Sequence, residues 1–308
     1  MNVVYIIYNR PRHVLKTFEA IRAAKPNQLF IIADGPKSDV TTDAENCRRS
    51  RELAENVDWP CTVYKNYANE NLGLKRRVSS GLDWVFSNVS SAIILEDDCL
   101  PNSDFFSFCD SLLKQYESEE SVWTITGDNF QDGRVRGKAS YYFSKYPHCW
   151  GWATWERAWK HFRGDIPFWP QWSVSEDWKK CHTSPKEEQY WSGIFQNVYE
   201  GKINSWAYPW TACVWYNQGL TATPNVNLVT NIGFGSDGTH CLQDDGKMEM
   251  RTQFIGQITH PTEITPDTLA DRFVLKRHFL KEKATIMERV HDFIYCIILQ
   301  ICQILIRK

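Results

Sequence analysis

Residues 91–101, SAIILEDDCLP, decide how this chain is read. The run Ala92-Ile93-Ile94-Leu95 has the length and β-branched content of a buried strand, and it stops at three consecutive carboxylates, Glu96, Asp97 and Asp98. Three adjacent acids repel one another and resist burial without a compensating cation, so the strand is expected to deliver them to the edge of a cleft. Carboxylate oxygens there suit Mg²⁺ or Mn²⁺, ions commonly shared between one or two protein carboxylates and substrate phosphates. An isolated Asp-Asp pair would sooner read as a solvated turn. The segments on either side give this one its meaning.

Working outward, apolar strands alternate with helical patterns. Val3–Tyr8 is a strand closed by Asn9-Arg10-Pro11-Arg12, and a helix follows to Ala24 with Val14, Leu15, Phe18 and Ile21 on one face. Leu29–Ala33 is a strand closed by Asp34-Gly35-Pro36, and Thr42–Asn56 a helix. Cys61–Lys65 is a strand, and after the loop Asn69–Leu74 the helix Lys75–Phe86 leads into the acidic strand. This alternation predicts an α/β fold, a mostly parallel Rossmann-like sheet with helices on both faces, which binds ligands beyond its C-terminal strand ends. Asn9-Arg10, Asp34 and Glu96-Asp97-Asp98 fall at those ends.

Beyond the acids, Phe105–Tyr116 reads as a helix and Val122–Thr126 as a strand ending in Gly127-Asp128-Asn129. Ala139–Phe143 reads as a strand, and helices are expected around Trp155–His161, Glu187–Tyr199 and Tyr208–Asn217. Thr221–Thr230 reads as strand and loop, followed by the glycine-rich passage 233–240. With no linker or repeat, the chain is expected to form one body from a first half (1–126) and a second half of the same domain (127–260), followed by a C-terminal helical segment (261–308).

The 308 residues carry a formal net charge of -2 with a pI near 6.5, which argues against a nucleic-acid partner. Ten scattered cysteines with no C-x-x-C pair fit neither a zinc framework nor a disulfide scaffold, and favour a reduced cytoplasmic setting. Asn2–Tyr8 reads as a strand rather than as a signal segment. The 14 Trp, many between Trp150 and Trp215, suit a core and stacking on sugars equally. Residues 286–306 repeat apolar side chains at helical spacing beside Arg289, Arg307 and Lys308. That pattern suits peripheral contact with the cytoplasmic face of a membrane, or docking on the body or a second subunit.

Taken together, Tyr8-Asn9-Arg10-Pro11, Asp34-Gly35-Pro36, Asn71-Leu72-Gly73-Leu74-Lys75-Arg76 and Leu95-Glu96-Asp97-Asp98-Cys99-Leu100-Pro101 resemble the motifs of GT-A glycosyltransferases. Their order is similar to that of the N-acetylglucosaminyltransferase that initiates complex N-glycans and of bacterial haemolytic-protein-like cell-surface glycosyltransferases. The resemblance covers about residues 2–241. It implies a nucleotide-sugar donor, most often a UDP-sugar, a divalent cation (Mn²⁺ or Mg²⁺), and a saccharide or glycolipid acceptor in cell-surface glycan synthesis. Asn9, Arg10, Arg12, Asp34, Lys75, Arg76, Glu96 and Asp97 would then contact the donor, while Asp98 and His240 would hold the metal.

An inverting transfer also needs a carboxylate to deprotonate the acceptor hydroxyl. Trp150-Gly151-Trp152 followed by Glu156 is similar to the Trp-Gly-Trp and following acids of β-galactosyltransferases, which makes Glu156 the expected base and Asp128, Trp150 and Trp152 expected acceptor contacts. Glu176 and Asp177 rank next, after Trp169-Pro170-Gln171-Trp172, and then Glu187 and Glu188, one of which a helix cap explains. Two other readings stand beside this one: a sugar-nucleotide pyrophosphorylase, whose Gly-rich signature after the first strand is missing, and a non-catalytic carbohydrate-binding protein. No P-loop, Gly-x-Ser-x-Gly elbow or His-Glu-x-x-His pair occurs.

Overall fold

The alternation of apolar strands and helices builds the first half of the fold as its periodicity requires. The computed structural model describes residues 1–233 and 250–282. In chain order come β1 (Asn2–Ile7), α1 (Pro11–Ala24), β2 (Gln28–Ala33), α2 (Asp43–Ala54), β3 (Thr62–Tyr67), α3 (Leu74–Phe86) and β4 (Ser91–Glu96). The short β5 (Cys99–Pro101), α4 (Ser103–Gln115), β6 (Val122–Thr126), β7 (Tyr141–Ser144) and β8 (Trp152–Trp155) follow. Then come α5 (Glu156–Trp159), α6 (Trp169–Trp172), α7 (Glu176–Lys180), α8 (Pro185–Tyr199), α9 (Ala207–Tyr216), β9 (Leu220–Pro224), β10 (Val229–Asn231) and α10 (Thr268–Val274). A π-helical turn, Leu275–Phe279, continues α10.

The main sheet of the described residues has eight strands in the order β3-β2-β1-β4-β8-β6-β9-β7. β3, β2, β1 and β4 are mutually parallel, β8 is antiparallel to both β4 and β6, β6 is parallel to β9, and β7 is antiparallel to β9. The fold is thus α/β, as the sequence predicts, and strands from both halves share the one sheet. From β1 the chain runs outward through β2 and β3, then returns to place β4 on the other side of β1. The strand order therefore reverses between β1 and β4, and that reversal opens a crevice at their C-terminal ends.

Alternation along the strands assigns the two faces. Val3, Tyr5 and Ile7 pack under α1 and α4, with Phe18, Phe105 and Phe108, whereas Val4 and Ile6 pack with Val78 and Leu82 of α3 in the cluster that holds most of the tryptophans. That second layer is a true core. Trp152 stacks on Trp206 at 5.2 Å between ring centroids, and Trp169 meets Trp178 edge-on at 4.8 Å. A Trp burying ~200 Å² contributes on the order of 5 kcal/mol, so the cluster is a main source of stability in the second half.

The aromatic stretch after Cys149 departs from expectation. The helix expected around Trp155–His161 is present as the single turn α5, and the Trp-Ala-Thr-Trp before it, which has no strand pattern in the sequence, is a strand, β8. All four of its residues are buried, so no alternation marked it as a strand, while its aromatic and β-branched side chains suit a central one. No helix among the described residues is long and apolar enough to cross a membrane. The expected C-terminal helix over 286–306 lies outside the described residues.

Candidate functional site

The register of β1 against β4 pairs Ile6 with Glu96, which sets the residues following each strand side by side at the reversal point. Arg10, at the start of α1, turns its guanidinium onto the acids. It pairs with Asp97, and its Nη2 lies 3.1 Å from Asp98 Oδ2. The cation the acids require is thus supplied in part by the chain itself. One guanidinium facing three carboxylates still leaves the cluster under-neutralised. Asp97 is buried; that burial pushes its carboxyl up to about 6, with Arg10 pulling down and Asp98 pushing up. Glu96, whose Oε1 accepts from Trp206 Nε1 at 3.3 Å, is pushed up to about 8 by burial and then by Asp98 and Asp97.

Around this cluster the backbone is tightly fastened. Thr17 Oγ1 donates to the Asp97 carbonyl at 2.7 Å, Ile232 N donates to the Asp98 carbonyl at 2.8 Å, and His13 Nε2 lies 3.1 Å from the Ile232 carbonyl. Gly233 passes so close that a Cβ there would sit 2.5 Å from Asp98 Oδ2. Only glycine fits against that carboxylate. His240, the expected second metal ligand, lies outside the described residues.

Asp34 and Asn9 both make bonds within the chain that fasten the loops of this edge. The buried Asp34 carboxylate accepts from Gly35 N, Leu72 N, Gly73 N and Asn71 Nδ2, all at 2.9–3.0 Å, and so fixes the loop that starts α3. Asn9 donates to Asp43, which also takes Tyr8 Oη and Lys37 N. Asp43, which the sequence reading passed over, is the buried strut joining the loops after β1 and β2. Burial acts against its charge, but these donors together hold its carboxyl below the usual range.

Lys75 and Arg76 stand in the first turn of α3, where with Gly164, Asp165 and Asn204 they line an open recess of about 400 Å³. A Cβ on Gly73 would lie 3.8 Å from Asn204 Nδ2, and Trp206, two residues on, reaches Glu96. Asp34, the start of α3 and the acidic strand end are therefore neighbours along one crevice. Arg77, not its neighbours, is the buried cation of this helix, donating to Asn66 Oδ1 at 2.7 Å. Arg12 is exposed on α1.

In the second half the antiparallel direction of β8 sorts the expected acceptor-side residues. Its entry lies at the acidic edge: Trp152 pairs with Ile94, and Gly151, with φ of +68°, packs against Leu95 and Val229. Asp128 is brought to the same edge. It accepts from Thr126 and from Trp150 N at 3.2 Å, and burial pushes its carboxyl up to about 7. Burial raises the Cys149 thiol, and the charges of Glu96, Asp128 and Asp98 push it the same way. Trp150 is partly buried beside Phe130, at 5.2 Å between centroids.

Two expectations are corrected by this placement. Trp152 is buried in the tryptophan core and offers no face to an acceptor. Glu156 follows the far end of β8, its N donating to the Ser90 carbonyl at 2.8 Å, six residues before Glu96. At ~3.3 Å per residue the two stand ~20 Å apart, so Glu156 cannot act on a group held by the acids. Among the other acids considered, Glu176 and Asp177 are exposed and paired with Lys179 and Lys180. Glu187 is buried, accepting from Tyr146 Oη at 2.6 Å and Thr183 N at 2.7 Å and pairing with Lys145 at 2.6 Å. Glu188, beside it on α8, is half-buried.

Among the described residues no three His, Cys, Asp or Glu side chains gather to hold a metal ion. Asp98, partly open and backed by Asp97 and Glu96, does fit the sparse kind of site in which one or two carboxylates share an ion with substrate phosphates.

No protein-family profile matches the chain, and no curated protein does. Solved structures match it loosely. A UDP-glucose pyrophosphorylase complexed with UDP-glucose is 10% identical over 73% of this chain and 90% of that one, with a TM-score of 0.34. The galactosyltransferase LgtC in complex with donor and acceptor sugar analogues is 12% identical over 76% and 74%, with a TM-score of 0.35. An active-site mutant of LgtC is 12% identical over 89% and 94%, with a TM-score of 0.38.

Proposed function

We propose that this protein is a metal-dependent GT-A glycosyltransferase that moves a sugar, with inversion, from a nucleotide-sugar, UDP-sugars first, to a saccharide or glycolipid acceptor in cell-surface glycan synthesis. The observation that carries the reading is the gathering of Glu96, Asp97, Asp98 and Arg10 at the strand-order reversal between β1 and β4. Such a crevice is where open α/β sheets take nucleotides, and the resemblance of the four motifs assigns them to a nucleotide-sugar.

In this reading Arg10 holds Asp97 in place while Asp98, with His240, would be the metal ligands. A divalent cation bound there would offset the charge building up on the departing diphosphate. Lys75 and Arg76 face the recess in which that diphosphate or the base would lie, and Asn9 and Asp34 shape its floor through the loops they fasten. Trp150 stands on the acceptor side. With Glu156 too distant, the carboxyls left for the base at this edge, among the described residues, are Glu96 and Asp128. Burial raises both carboxyls, which makes each a stronger base once ionised.

The test is a thermal-shift panel of UDP-, GDP-, CMP- and dTDP-sugars with and without Mn²⁺. A ligand at a hundred times its Kd stabilises the native state by about 2.7 kcal/mol, a rise of several degrees in Tm. Stabilisation by one nucleotide class that is lost in chelator supports the reading; no shift with any of them refutes it. The released product then separates a transferase, which yields the nucleoside phosphate part of the donor, from a pyrophosphorylase, which turns over pyrophosphate.

A further inference from the structure

We propose that the face made by α10, the π-helical turn that continues it and the loop 132–138 docks on an anionic lipid surface. The two segments form one patch. The guanidiniums of Arg134 and Arg136 lie 3.9 and 5.9 Å from the centre of the Phe273 ring, and Asp132 receives His278 Nε2 at 3.0 Å and Arg277 at 3.9 Å. α10 turns Ala270, Asp271 and Val274 toward the body, with Leu275 buried behind them. Its outward side carries Leu269, 64% exposed, with Arg272 and Lys276 at helical spacing from it. Val135, 47% exposed, sits on the neighbouring loop between two arginines.

Among the described residues the acids of this region are already engaged. Asp271 is buried against Ser144 Oγ at 2.6 Å, Asp267 caps the first amides of α10, and Asp132 is engaged by Arg277 and His278. Arg272 and Lys276, both exposed on the outer side of α10, meet no acid among the described residues, on a chain whose formal net charge is -2. Exposed apolar side chains set among cations match the headgroup region of a bilayer better than an acidic protein, which would pair the charges but leave Leu269 and Val135 without an apolar partner. The 26 residues after Glu282 repeat that chemistry in sequence, with Ile286, Val290, Phe293 and Ile297 beside Arg289. A transferase acting on a lipid-linked acceptor would gain from such an orientation, but the inference stands on the patch and not on the transfer.

The experiment is co-sedimentation of the full chain with vesicles of phosphatidylcholine alone and with added phosphatidylglycerol. Sedimentation only with the anionic vesicles, falling as salt is raised, is expected. Each cation near such a surface is worth about fivefold in partitioning, so R272A/K276A should weaken it roughly 25-fold. K179A/K180A, which removes two exposed cations of α7, should sediment as the parent chain does. Equal sedimentation with neutral vesicles, equal losses in the two variants, no loss in R272A/K276A, or binding to a soluble polyanion but not to anionic vesicles would each overturn the proposal. The readout does not involve sugar transfer, so the two proposals fail separately.

Discussion

Arg10 decides how the three acids can coexist. It is the charged partner of Asp97 and Asp98, and Asp97 is buried, so its loss would leave carboxylates under a low dielectric without their guanidinium. R10A should therefore destabilise the fold by on the order of 3 kcal/mol in urea titrations, the cost typical of breaking a buried pair from one side. D98N should leave the fold intact, because Asp98 is only partly buried, yet abolish any Mn²⁺-dependent nucleotide binding seen by calorimetry. For the base, E96Q and D128N are to be compared at saturating donor. The group that takes the proton should cost 10²–10⁴-fold in kcat, and the other should cost far less.

Among the elements, β8 has the largest effect on the site. Being antiparallel to β4, it carries its first residues to the acidic edge and its last ones away from it, so neighbours in sequence such as Trp150 and Glu156 part company. E156Q should leave kcat and KM within twofold of the parent, and a hundredfold fall in kcat would restore Glu156 as the base. In α8, Glu187 closes a buried pair with Lys145 while its backbone N donates to the capping Ser184 Oγ at 3.3 Å. E187Q should cost about 3 kcal/mol of stability with little change in the KM of bound substrates, because the residue joins α8 to the loop after β7 and does not face the crevice.

At the scale of the whole molecule, several buried acids are held above their ordinary range. Asp128 and Asp271 are pushed up to about 7 and 6, burial being the main cause of both. A group whose folded pKa exceeds its unfolded value favours the fold fully below the unfolded pKa, and that contribution is lost as pH rises through the folded one. Urea midpoints should thus fall between about pH 4 and pH 8, and D128N should flatten the upper part of that slope. A flat profile in the parent chain would show that these acids are ionised in the folded state.

The first half of the fold was legible because each strand and helix there has its own periodic pattern and its own turn residues. The run from Val3 to Asp98 therefore predicted both the parallel sheet and the polar clusters at its edge. What the sequence could not disclose was direction and partnership. Trp-Ala-Thr-Trp carries no alternation that tells a buried antiparallel strand from a helical start, and the partners of Asp34, Asp43 and Glu187 lie on other elements. Chain chemistry alone determined that acids would gather at a strand end and need a cation. Only the tertiary structure decided that Arg10 supplies part of it, that Asp128 stands near and that Glu156 stands far, because those relations depend on how strands are ordered and pointed within the sheet.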